Sequence, residues 1–85
     1  MKKKLKTNVG VFEEGQDLID YMGLTVMIGH EFCVYNLGES DIQLQLNEEG
    51  DLLTLEPQEG FHTNFPVAHA IVKTGGAYLK YSYWF

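Results

Sequence analysis

The chain is 85 residues long, carries a formal charge of −6 and holds a single cysteine, Cys33. It is therefore one domain with no internal disulfide, and a domain of this size buries only roughly 60 to 65% of the surface its unfolded chain exposes, so assembly or a metal is expected to support it. Lys2, Lys3, Lys4 and Lys6 supply four of its six positive side chains; residues 7–85 set two lysines against twelve carboxylates, a formal charge of −10, and with no arginine anywhere this body is excluded as a nucleic-acid partner.

In chain order, residues 1–6 form a basic N-terminal arm, which a secretory signal would continue with roughly 7 to 15 apolar residues; instead Thr7 and Asn8 follow. No window approaches the ~20 apolar residues of a membrane span, and the chain is expected to be soluble and made in the cytoplasm. Leu5, Thr7, Val9 and Val11 alternate with Lys6, Asn8 and Gly10, which predicts an edge strand ending at Phe12. Leu18, Tyr21 and Met22 fit a helical stripe stopped by Gly23, so residues 17–22 are expected as at most one short helix, with a strand as the alternative.

Thr25 to Ile28 reads as a strand, Gly29-His30-Glu31 as a bulge or tight turn, and Phe32 to Tyr35 as a strand apolar on both sides, hence central or covered by a partner. Cys33 within it is expected as a small buried hydrophobe. After a turn at Asn36 to Asp41, Ile42, Leu44 and Leu46 alternate with Gln43, Gln45 and Asn47, one dry face and one wet. Residues 47–51 are a hairpin loop into a strand from Leu52 to Leu55, which Pro57 ends because it cannot donate to a ladder. Strands are then expected at Phe61 to Phe65, His69 to Lys73 and Ala77 to Phe85, with Gly75-Gly76 as a hairpin turn before the last. Seven or eight short strands make the expected fold all-β, a single small antiparallel β-sandwich or jelly roll spanning residues 1–85.

Three candidate sites emerge. In the last strand Leu79, Tyr81, Tyr83 and Phe85 share one face, assigned to the opposite sheet, which leaves Tyr78, Lys80 and Trp84 on the other as a contact face, joined by Lys2, Lys3, Lys4 and Lys6 of the arm. A carbohydrate stacking on Trp84 uses the same chemistry, which makes a carbohydrate-binding module one alternative. His30, His62 and His69, near Glu31, Glu56 and Glu59, converge on a metal only through the fold, since their spacing is not that of a chelating pair on one element. Neither a nucleophile elbow nor a phosphate-cradling loop is present, Ser40 and Ser82 sit in a turn and a strand, and the carboxylates Glu48, Glu49 and Asp51 lack the spacing of a calcium loop. No catalytic residue and no cofactor is expected.

Two resemblances follow. Gly50-Asp51 with Pro57, Gly60, His62 and Asn64 looks like the second half of the cupin pattern, in which a Pro-Gly turn precedes a metal-binding histidine; the glycine comes one position late, and the first half, with its His-x-His, has no counterpart. It implies, as a second alternative, a cupin-like metal-binding domain at His62 with His30 or His69. The runs Phe32-Cys33-Val34-Tyr35-Asn36-Leu37-Gly38, Leu53-Thr54-Leu55-Glu56-Pro57 with Glu59-Gly60, and Ile71-Val72-Lys73-Thr74-Gly75-Gly76 before a terminal strand resemble small β-sandwich proteins of tailed bacteriophages. That resemblance covers residues 26–85. It implies a non-enzymatic virion component (head decoration, head fibre, tail or baseplate), made in the host bacterial cytoplasm and acting as a homo-oligomer that binds a capsid or tail protein.

Overall fold

The computed structural model describes residues 5–19, 31–47, 52–63, 65 and 67–84. Within them the chain is all-β. Seven strands, β1 (Leu5–Phe12), β2 (Phe32–Asn36), β3 (Ile42–Leu46), β4 (Leu52–Leu55), β5 (Gly60–His62), β6 (Ala70–Val72) and β7 (Ala77–Trp84), form two antiparallel sheets. One runs β1-β7-β2-β5 and the other β4-β3-β6. Among the described residues no helix is long and apolar enough to cross a membrane.

The pairing follows a single rule. β1 pairs with β7, β2 with β5, and β3 with β4. Between the first two of these pairs, residues 15–18 run beside β6: an isolated bridge joins Asp17 to Ile71, the Gly15 and Leu18 N–H groups donate to the Val72 and Ala70 carbonyls, and the Val72 N–H donates to the Gln16 carbonyl. First with last, second with second-last and so on inward is the course of one long hairpin folded over into two layers, the winding of a jelly roll. Position 17 thus holds a bridge, not the start of a helix, because its backbone is used by the β6 ladder. The remainder of the expected helix, the strand at 25–28 and the turn at His30 lie outside the described residues.

Side chains from both sheets meet in one core. Phe32, Val34, Leu79, Tyr81 and Tyr83 come from the four-stranded sheet, and Ile42, Leu44, Leu46, Leu55, Ala70 and Val72 from the other. The period of two that sets Ile42, Leu44 and Leu46 inward leaves Gln43 exposed and Gln45 half-buried, as the amide spacing predicts. β1 reverses the usual order: its core residue is Phe12, paired with Ala77, while Leu5, Val9 and Val11 face away from the core. It is an edge strand, as expected.

Turns among the described residues carry the winding. The Pro57-Gln58 turn closes with the Glu59 N–H donating to the Glu56 carbonyl at 3.0 Å, and Gln58 sits at φ 67, the left-handed conformation a type II turn imposes on its third residue. Asn47 also has positive φ, and its Oδ1 accepts the Ala68 N–H at 2.8 Å. Gly75-Gly76 is a turn but not a hairpin, because β6 and β7 belong to different sheets, so it passes the chain from one layer to the other. A glycine pair fixes the reversal, with Gly76 at φ 71, but not the sheet the next strand joins.

Asp17 anchors the segment beside β6. Its Oδ1 accepts the N–H groups of Ile19 and Ala70, both at 3.0 Å, and its Oδ2 lies 2.8 Å from His69 Nδ1. Asp17→Ala is expected to lower the unfolding free energy by about 2 kcal/mol, since hydrogen bonds to a charged group each contribute about 1.5 to 3 kcal/mol when partly buried. Urea titration followed by Trp84 emission measures it, with Asp17→Asn retaining roughly half the loss-free behaviour through its remaining acceptor.

Candidate interaction surface

Strand register sorts the four-stranded sheet into two faces. Residues paired across strands share a face, so Leu5 with Trp84, Val9 with Lys80 and Tyr35, and Val11 with Tyr78 all lie on the side away from the core. These apolar residues, Leu5, Val9, Val11, Tyr35, Tyr78 and Trp84, are between 39% and 62% exposed. They are six of the eight large exposed hydrophobics of the described residues; the other two are Leu52 and Phe65. A soluble monomer scatters such residues singly. Here they are gathered on one surface.

The same face is nearly without charge. Among the described residues Lys80 is its one lysine, and the one carboxylate the register sets on it is Glu31, at the margin beside Trp84, although the chain holds twelve. The face is also well supported. The Trp84 N–H donates to the Glu31 carbonyl at 3.1 Å, and the Leu37 N–H donates to the Tyr78 carbonyl at 3.0 Å, so both ends of β7 are tied to the β2 side. Tyr35 leans across Gly60 of β5, where a Cβ would overlap its ring. Glycine at position 60 is thus what lets an aromatic ring lie there.

The expected contact residues divide. Tyr78, Lys80 and Trp84 are exposed on this one face. Lys6 lies within β1 and is paired with Tyr83, so it belongs to the opposite side; Lys2, Lys3 and Lys4 lie outside the described residues. Leu5, Val9, Val11 and Tyr35 are the contributors sequence reasoning overlooked. The signal was the adjacent pair Val11-Phe12: two bulky apolar neighbours on a strand must occupy both faces, and the register gives the core to Phe12.

Cys33 is not a core residue. Alternation puts Phe32 and Val34 inside and turns Cys33 outward, half-buried, with its Sγ 2.8 Å from Ser82 Oγ. His62 is its cross-strand neighbour on exposed β5. His69 instead precedes β6 of the other sheet, bonded to Asp17, so the fold does not bring His62 and His69 together; His30 lies outside the described residues. Among the described residues no group of three or more His, Cys, Asp or Glu side chains is placed to hold a metal ion. Comparison of the chain with protein-family models, with curated proteins and with solved structures finds no match.

Proposed function

We propose that this chain is a non-enzymatic structural or accessory protein of a tailed-bacteriophage virion, a head-decoration, head-fibre, tail or baseplate component. It is made in the host bacterial cytoplasm and works by packing against itself and against a capsid or tail protein. The observation that carries the reading is the apolar outer face of the four-stranded sheet, where among the described residues six large side chains surround a single lysine and the one carboxylate, Glu31, stands at the margin. Such a composition, aromatic-rich and poor in acidic groups, is that of the buried centre of a protein interface. The resemblance of its turn and strand pattern to small phage β-sandwich proteins supports this class of particle.

Particles purified on density gradients from the strain that encodes the chain are expected to contain it in many copies per particle by quantitative mass spectrometry. Particles devoid of it would overturn the reading. Tyr78→Ala and Trp84→Ala are each expected to weaken binding to the particle by roughly 30-fold or more, because aromatic anchors at an interface centre contribute about 2 kcal/mol or more each. Both side chains are exposed, so the thermal midpoint of the free protein should move little.

A further inference from the structure

We propose that two copies of this chain join through the outer edge of β1, which pairs with no further strand among the described residues, the two β1 strands lying antiparallel so that the two four-stranded sheets become one continuous eight-stranded sheet. The proposal rests on the self-assembly part of the function proposed above and is independent of the virion part.

The geometry of β7 decides which β1 groups are available. Tyr78 and Trp84 direct their backbone groups to the β2 side, bonding Leu37 and Glu31. In an antiparallel ladder, direction alternates residue by residue, so Leu79, Tyr81 and Tyr83 bond β1 through their partners Gly10, Asn8 and Lys6. Leu5, Thr7, Val9 and Val11 therefore point their N–H and C=O groups away from the sheet. The Val9 N–H agrees with this orientation: among the described residues it donates to no strand carbonyl but to the side-chain Oδ1 of its own neighbour Asn8 at 2.9 Å, a local bond that edge pairing would replace.

Among the described strands no other edge is comparable. β5 has three residues and β4 four, and β6 has residues 15–18 bonded along it. β1 has eight residues with no proline and no carboxylate; its one guard is Lys6, an inward-facing charge near one end of the strand. Setting Asn8 opposite Asn8 of the second copy matches Thr7 with Val9 and Leu5 with Val11 in both directions. All four outward-pointing residues are then used, and Lys6 meets Gly10 rather than another charge. Charge order favours the same direction. Lys2, Lys3 and Lys4 precede β1 in sequence and Glu13 and Glu14 follow it, so antiparallel pairing sets the basic flank of each copy beside the acidic flank of the other, whereas parallel pairing sets like beside like. The apolar outer faces of the two sheets become one surface.

Sedimentation velocity of the purified chain is expected to give twice the 9.7 kDa single-chain mass. Val9→Pro removes an N–H directed away from β7, a position an edge strand tolerates, and is expected to weaken self-association by roughly 100-fold while the far-UV spectrum stays unchanged. As a second measurement that does not depend on the folding of that variant, Asn8→Cys in a Cys33→Ala background is expected to form an interchain disulfide on mild oxidation, and Lys6→Cys in the same background is not. A wild-type chain at single-chain mass up to millimolar concentration overturns the proposal, as does an undiminished dimer of a folded Val9→Pro protein or a cross-link at residue 6 but not at residue 8. A monomer that enters particles removes the edge pairing alone; a dimer absent from particles removes the virion reading alone.

Discussion

Tyr81→Ala is expected to leave the protein largely unfolded at 37 °C. Tyr81 is buried at the centre of the four-stranded sheet, with its ring 5.5 Å from Phe12 in an edge contact, 6.4 Å from Phe32 and 6.3 Å from the parallel ring of Tyr83. Truncating a buried aromatic to alanine costs about 3 to 5 kcal/mol through lost transfer energy and the remaining cavity, and these ring pairs add about 0.5 to 1.5 kcal/mol each. A domain of this length has a total stability of about 4 to 13 kcal/mol, so the loss reaches the lower end of the whole. Circular dichroism against temperature measures it; a midpoint lowered by less than roughly 10 °C contradicts the central role assigned to this ring. Tyr81→Phe, which keeps the packing, should cost far less.

The second large effect is expected at Asn36, the polar residue that ties the two layers together. It is fully buried at the end of β2; its Nδ2 donates to the Ser40 carbonyl at 2.8 Å and to the Leu55 carbonyl at 3.0 Å, and its Oδ1 accepts the Gly38 N–H at 3.0 Å. Leu55 belongs to β4, so one amide spans both sheets. Asn36→Leu has similar volume but leaves a donor and two acceptors without their partner, at about 1 to 3 kcal/mol for each that stays dry. A loss of about 3 kcal/mol is expected, lowering the thermal midpoint by roughly 12 to 24 °C. Asn36→Asp tests the assignment, because a carboxylate keeps the Gly38 bond and turns its other oxygen against two carbonyls; it should be no better than leucine. Equal stability of both variants and the wild type would mean that the amide is dispensable.

These two residues mark the limits of what could be read from the chain. Tyr81 was legible: in Ala77 to Trp84 the buried and exposed positions alternate without a break, and the sequence pattern of β3 is as clear. Local periodicity decides such strands. Asn36 was not legible, because as the first residue of an expected turn it has a sufficient local role, and only the fold brings the Leu55 carbonyl to its amide. The same holds for Gly75-Gly76, whose turn chemistry is local but whose change of sheet depends on β3 holding β6. Asp17 shows tertiary context overriding propensity, since the β6 ladder takes the backbone groups a helix would have used. At the candidate surface, Tyr78, Lys80 and Trp84 followed from one strand's alternation, while Leu5, Val9, Val11 and Tyr35 required the register between three.

The pairing of Leu5 with Trp84 also bears on biosynthesis. A ribosome releases β7 more than sixty residues after β1, so β1 lacks the strand it pairs with while the intervening segments emerge. Among the described strands only β3 and β4 can pair early as neighbours in sequence, and closure of the larger sheet must wait for β7, a slow step for contacts so distant in sequence. Ribosome-arrested chains stopped before Ala77 should accordingly remain sensitive to protease across their first dozen residues, and become resistant only once the final strand has cleared the exit tunnel.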